Sequence, residues 1–187
     1  SNAYLTKEQL HLPEVTYPLQ VFVCNTCWLM QLPAHASSDE LFTPDYAYFS
    51  STSKSWCTHA KEFVNSAILR FGLGPNSHVV ELASNDGYLL QYMQKQGIPC
   101  LGIEPTHATA KAAQEKGIKT IEKFFNFELA KKLQPADLII ANNVLAHVPD
   151  INNFVEGIAK LLKPNGHASI EFPHLLKLLN GNQFDTI

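Results

Sequence analysis

The sequence has little charge of either sign to spare. Fourteen Lys and Arg stand against 17 Asp and Glu, a formal net charge of −3 over 187 residues with a pI near 6.2. That balance argues against nucleic acid or an anionic membrane as a partner, because either would need a basic stripe. No apolar run approaches the ~20 residues of a membrane-spanning helix, and the opening residues lack the basic region and apolar core of a secretory signal. A cytoplasmic chain is expected. Cysteine is scarce too. Cys24, Cys27, Cys57 and Cys100 are too few and too scattered for a disulfide scaffold, so reduced thiols are expected. Internal repeats and low-complexity tracts are absent.

What is present suits one good core and a small appendage, with 45% of residues hydrophobic and 17% charged. Residues 1–52 are loop-rich, with Pro13, Pro18, Pro33 and Pro44, a short strand expected at "LQVFVC" and an aromatic stretch, "FTPDYAYFSSTS". From Ser53 or Ser55, either of which can act as N-cap, Trp56, Ala60, Phe63, Val64, Ala67, Ile68 and Phe71 recur at three- and four-residue steps. This spacing predicts an amphipathic helix ended by Gly72. Beyond it, short apolar runs alternate with helical patterns, as expected of βαβ units and a mostly parallel sheet. Strands are expected at "HVVELA", "PCLGIE", "IKTIE", "ADLIIA" and "HASIEF", with helices at about 87–96, 106–116, 126–133 and 150–163. The last helix has Asp150 as N-cap and "KPNG" as its stop. The chain thus divides into a small N-terminal region, 1–52, and an α/β core, 53–187.

The first core strand enters the turn of "VVELASNDGYLL", which holds a single glycine. A dinucleotide fingerprint would need Gly-x-Gly-x-x-Gly for the backbone to close around a pyrophosphate. Ala83, Ser84, Asn85, Asp86 and Gly87 stand there instead. Ligands of open α/β sheets bind beyond the carboxyl ends of the strands. Three acids fall in that place: Glu81 at the end of the first strand, Asp86 in the turn and Glu104 at the end of the second. A carboxylate at Glu104 can accept hydrogen bonds from both hydroxyls of a ribose. Clustered acids would repel a pyrophosphate but complement a ligand carrying an ammonium and a sulfonium. S-adenosylmethionine is such a ligand, and it has no phosphate to cradle. Each acid also has a structural reading: Glu81 as a turn cap or lysine partner, Asp86 as turn chemistry beside Gly87, Glu104 as a water-facing acid before Pro105. Their coincidence at adjacent strand ends favours the ligand.

The stretches "VVELASNDGYLL", "LGIEPT", "ADLIIANNVLAHVPDINNFVEGIAKLLKPNG" and "IEFPH" together resemble a class I S-adenosylmethionine-dependent methyltransferase. More narrowly, "VCNTCWLMQLP", "YAYFSSTSKSWCTHAKEF" and "NQFDTI" are similar to the C-methyltransferases that act on nucleotide-linked deoxysugars. The resemblance implies a Rossmann-like sheet with helices on both faces, preceded by a zinc-binding-like region, and a nucleotide sugar as small-molecule substrate. It also implies that Glu81, Ala83, Asn85, Asp86 and Gly87 line the methionine part of the cofactor, and that Glu104 and Pro105 hold the ribose. Phe124, Asn142 and Asn143 would flank the adenine and methionine, and Tyr48, Ser51 and Ser53 would close over the amino-acid end. Tyr48 and Phe49 have packing as their alternative. His147 in "LAHVPD" is a weak catalytic candidate, with no visible acidic partner to tune it.

Two departures follow. The implied zinc domain carries two C-x-x-C pairs, whereas here only Cys24 and Cys27 are present, half of a tetrahedral thiolate site unless His35 or His59 contributes. The missing pair is expected before residue 1. In the resembled family "FDTI" leads into a Tyr-His-Glu-His stretch and a large C-terminal domain that supplies the base for forming a carbon nucleophile. That base, and the last strands of the sheet, are expected beyond Ile187. The chain is therefore read as a fragment that binds cofactor without efficient turnover, with "HASIEF" near an open sheet edge through which it could dimerise. An O- or N-methyltransferase of another small molecule, or a non-catalytic cofactor-binding module, are the alternatives.

Overall fold

The computed structural model describes residues 5–18, 20–44 and 46–183. Leu19 of the first expected strand and residues 184–187 of the "NQFDTI" motif lie outside them. The N-terminal region forms a two-residue antiparallel ladder, β1 (Phe22–Val23) with β2 (Met30–Gln31), around the Cys24–Cys27 turn. A one-turn helix, α1 (Ser38–Leu41), follows, closed by a reciprocal capping box between Ser37 and Glu40.

Helix α2 (Lys54–Phe71) has the predicted bounds: Ser53 caps it by accepting from the Trp56 N–H, and Gly72 ends it in the left-handed conformation. The core strands are β3 (Val79–Leu82), β4 (Cys100–Ile103), β5 (Thr120–Ile121), β6 (Ala136–Asn142) and β7 (Leu162–Glu171). All pair in parallel, in the order β5-β4-β3-β6-β7. Between them lie α3 (Leu90–Lys95), α4 (His107–Glu115), α5 (Phe127–Ala130) and α6 (Ile151–Leu161), and α7 (Leu175–Gly181) follows β7.

Alternation along the central strands assigns their two faces. Val79, Leu138 and Ile140 pack with Ala60, Val64 and Ala67 of α2 and Leu90 and Met93 of α3. Val80, Leu82, Ile139 and Ala141 pack with Ala130 of α5 and Phe154, Ile158 and Leu161 of α6. The central strands β3, β4 and β6 are buried on both sides, which explains why they read as continuous apolar runs.

Three expectations are corrected. Helix α3 starts at Leu90 rather than about residue 87, because Ala83, Asn85 and Gly87 all take positive φ (54°, 49° and 74°) and hold the preceding turn out of the helix. Helix α5 is confined to four residues. The "KPNG" stop lies inside β7, whose register jumps from Ala136↔Leu162 to Leu138↔His167, with Gly166 pressed so close that a Cβ would stand 2.8 Å from the Ala136 carbonyl oxygen. No helix of the described residues is long and apolar enough to cross a membrane.

Candidate cofactor site

The strand order reverses between β4 and β6 on either side of β3, and the crevice at that point opens into a cavity of about 1050 Å³. Its wall is built from the carboxyl ends of β3, β4 and β6 and the segments that follow them, together with residues between Ala34 and Trp56.

Asn85 organises the turn after β3. Its N–H donates to Glu104 Oε2 (2.9 Å), its Oδ1 accepts from the Ser50 N–H (2.8 Å) and its Nδ2 donates to the Tyr48 carbonyl (3.0 Å). A left-handed φ is tolerable for asparagine, and here it lets one side chain hold two segments. Glu104 is 4% exposed. Besides Asn85 it accepts from the Thr106 N–H (3.0 Å) and Thr106 Oγ1 (2.5 Å), both on Oε1. Three of about four acceptor positions are filled, which leaves one facing the cavity rather than the two that a pair of ribose hydroxyls would use.

Glu81 is 1% exposed and lies behind the lining. The Tyr88 hydroxyl lies beside its carboxyl and accepts from Asn142 Nδ2 (3.5 Å), while Glu81 Oε2 has no partner. Burial, reinforced by the charges of Glu104 and Asp86, pushes the Glu81 carboxyl well above the usual glutamate range. Burial and Glu81 raise the Tyr88 phenol as well.

Of the residues expected at the site, Tyr48, Ala83, Asn85, Glu104, Pro105, Phe124, Asn142, Asn143 and His147 line the cavity. Ser51, Ser53, Asp86 and Gly87 stand behind it. Ser53 is the α2 cap, and Asp86 binds Ser51 and Lys116. Gly87 lies under the end of α4, where a Cβ would run into Ile118 Cδ1. The sequence reading passed over Trp56, Tyr88, Ser50 and Asn153, all part of the lining. Trp56 stacks on Tyr88 with centroids 6.0 Å apart. Its helical spacing hid it among core residues, whereas Tyr88, directly after Gly87 in the quoted turn, was open to notice. His147 meets Phe42 edge-on at 6.4 Å, and desolvation lowers its pKa.

Residues 56–185 match the family model described as "Methyltransferase domain". The chain belongs to this methyltransferase family. Residues 1–42 match a second model, described as "Putative zinc binding domain". The C-methyltransferase NovU of Streptomyces niveus is 35% identical over 178 residues, covering 93% of this chain and 42% of that protein. The ubiquinone biosynthesis O-methyltransferase of Histophilus somni is 32% identical over 98 residues, 47% of this chain and 41% of its own length. The methyltransferase chain thus spans less than half the length of these curated relatives. Among solved structures, the PH0226 protein of Pyrococcus horikoshii aligns over 73% of this chain and 66% of its own, with a TM-score of 0.60 at 18% identity. DesVI of Streptomyces venezuelae aligns over 66% and 53%, with a TM-score of 0.54 at 14% identity. Both share the fold.

The cofactor of this methyltransferase family is S-adenosylmethionine, and the residues present fit it. The cavity of about 1050 Å³ is large enough for a nucleoside with an amino-acid tail and carries Glu104 at its wall, with an orphaned carboxyl oxygen of Glu81 behind. No glycine-rich phosphate cradle competes with that fit. The zinc fit is incomplete. The Cys24 thiol accepts from the backbone N–H groups of Cys27 and Thr26, which hold its pKa down to about 7, as suits a metal-binding thiolate. Among the described residues, however, no third ligand joins Cys24 and Cys27. His35 stacks on Tyr17, and His59 stacks on Trp56 beside Glu171.

Proposed function

We propose that this chain is the cofactor-binding part of a methyltransferase that places a methyl group on carbon of a nucleotide-linked deoxysugar. The observation that carries it is the match of 93% of the chain to a C-methyltransferase, together with a cavity large enough for more than the cofactor. In this reading residues 53–187 form the cofactor-binding core, and 1–52 form a small region whose last residues reach over the cavity. Glu104, Pro105 and Phe124 take the adenosine, and Asn85, Asn142 and Tyr88, with Glu81 buried behind them, face the methionine end. Ala83 and Asn143 close the wall between them, and Tyr48 with the segment after it covers the amino-acid end.

Carbon becomes nucleophilic only after a proton next to a carbonyl is removed, so this chemistry needs a general base. Among the described residues, His147 is the one imidazole at the cavity wall, and none of them gives it a carboxylate partner there to raise its basicity. The base is therefore assigned to the part of the longer relatives that this chain does not span. The outer edge of β7, with Phe172 58% exposed beyond it, is read as the surface where a second copy pairs, which sedimentation of this chain would report as a dimer.

The test is calorimetric titration with S-adenosylmethionine, S-adenosylhomocysteine and NAD, on this chain and on Glu104→Ala, followed by transfer of a ¹³C-labelled methyl group to nucleotide-linked ketosugars by the chain extended to the length of its relatives. Binding of the sulfur compounds alone, weakened in the variant, with label appearing on carbon, is expected. Label on oxygen or nitrogen would select the O- or N-methyltransferase reading, and binding without any transfer the non-catalytic one.

A further inference from the structure

The segment Tyr48–Ser53 runs over the cavity and contributes Tyr48 and Ser50 to its wall, yet it has only one turn of 3-10 helix of its own. Its hold on the core is polar. Asn85 binds it at the Tyr48 carbonyl and the Ser50 N–H, and Asp86 accepts from the Ser51 N–H (3.3 Å) and hydroxyl. The Asp86 side chain is only 2% exposed, and a carboxylate so deeply buried needs a countercharge. Lys116 supplies it. Its Nζ lies 3.0 Å from Asp86 Oδ2, donates to the Asp86 carbonyl at 2.7 Å and reaches Ser51 Oγ at 3.4 Å.

Lys116 is delivered there by the local fold. It is the C-cap residue of α4, followed by Gly117 at φ +80°, and the end of α4 settles onto the turn because Gly87 offers no Cβ to Ile118 or Ala113. The single glycine of the turn therefore admits a lysine, not a phosphate. The three acids also divide their work. Lys116 engages Asp86, Glu104 stands at the cavity wall, and Glu81 is buried behind it with Oε2 unpartnered.

We infer that Lys116 is a positioning residue for cofactor binding: through Asp86 and Ser51 it clasps the strap Tyr48–Ser53 over the amino-acid end of the ligand. The inference rests on the cofactor reading above and adds a residue that touches no ligand.

The test compares wild type, Lys116→Met and Lys116→Arg in two measurements. In titrations with S-adenosylhomocysteine and with 5′-methylthioadenosine, which lacks the amino-acid end, Lys116→Met should lose about tenfold for the first and less than about twofold for the second, and Lys116→Arg should recover most of the loss. In hydrogen exchange without ligand, residues 48–53 of Lys116→Met should exchange about tenfold faster while β6 keeps its protection. Wild-type affinity and wild-type exchange in Lys116→Met would overturn the inference, as would equal losses for both compounds. Should Lys116→Met not fold, Ser51→Ala removes the other side of the clasp and carries the same expectations. If the wild type binds neither compound, the cofactor reading fails on its own, and exchange of the strap then decides whether the clasp exists.

Discussion

The N-terminal region and the α/β core treat apolar residues in opposite ways. In the core, Leu138, Ile139 and Ile140 are fully buried between two helical layers. Among the described residues up to Pro33, Val15 is 75% exposed and Trp28 76%, and order comes from hydrogen-bonded turns such as Trp28 N–H to Cys24 O (2.9 Å) and from a two-residue ladder. Burial holds one region and local hydrogen bonding the other, so substitutions of similar size should cost very different amounts.

The largest effect is expected from Leu138→Ala, which opens a cavity in the central strand and should cost about 2–5 kcal/mol in urea unfolding. Trp28→Ala removes more atoms from a side chain already in water and should stay within about 0.5 kcal/mol. Similar losses for the two would erase the contrast.

Glycines sharpen the comparison within the core itself. Gly72 and Gly87 both hold positive φ, but a Cβ on Gly72 would meet nothing within 4 Å, whereas one on Gly87 would strike Ile118. Gly72→Ala should therefore cost about 1–2 kcal/mol for the backbone alone. Gly87→Ala should add about 1–3 kcal/mol of overpacking. It should also loosen the Lys116 clasp and weaken cofactor binding, which Gly72→Ala leaves alone. Thermal melts with and without S-adenosylhomocysteine read both.

How far each region could be read from sequence follows the same division. Ser53 and Gly72 bounded α2, Asp150 capped α6 by accepting from the Asn153 N–H, and "ADLIIA" became six of the seven residues of β6, because period, caps and burial agree in those elements. The turn after β3 was legible as a ligand site but not in its geometry. Nothing in "LASNDG" announces that Ala83 and Asn85 both turn left-handed, or that Asp86 faces a lysine 30 residues on. Lys116 stood unnoticed in a polar helix end, since a long-range ion pair leaves no periodic trace. β2 was missed for a related reason: two residues paired across a turn carry too little alternation to stand out.

Glu81 gives a smaller, pH-dependent effect. Its carboxyl is raised by burial first and then by Glu104 and Asp86, so the folded chain holds this proton over a range in which the unfolded chain has released it. Stability from this group is complete below the usual glutamate pKa and is lost as pH rises toward the folded value, by at most about 1.4 kcal/mol per pH unit. Glu81→Gln cannot ionise, so its melting temperature relative to wild type should climb between pH 5 and 8. Parallel curves would mean that a cation already faces the carboxyl. On the proposed reading, in which the cofactor's ammonium lies toward Glu81, cofactor affinity should move the other way in the wild type and rise with pH, because that charge favours the ionised form.

The smallest effect leaves stability untouched and contrasts the two regions through their thiols. Cys24, in its turn of N–H donors, has its pKa lowered to about 7, whereas burial, with some help from Glu81, pushes Cys100 up to about 11. At pH 8 the thiolate fraction favours Cys24 by roughly three orders of magnitude, and the lower nucleophilicity of the more acidic thiol takes back roughly two of them. Alkylation by iodoacetamide, followed by mass spectrometry of the two peptides, should run about tenfold faster at the Cys24 turn, more if the half-buried position of Cys100 slows access. Equal rates would mean that the turn does not hold the thiolate. Adding zinc before the reagent extends the comparison: a turn that takes metal is protected while Cys100 reacts as before, and an unprotected turn would assign the lowered pKa to the backbone alone.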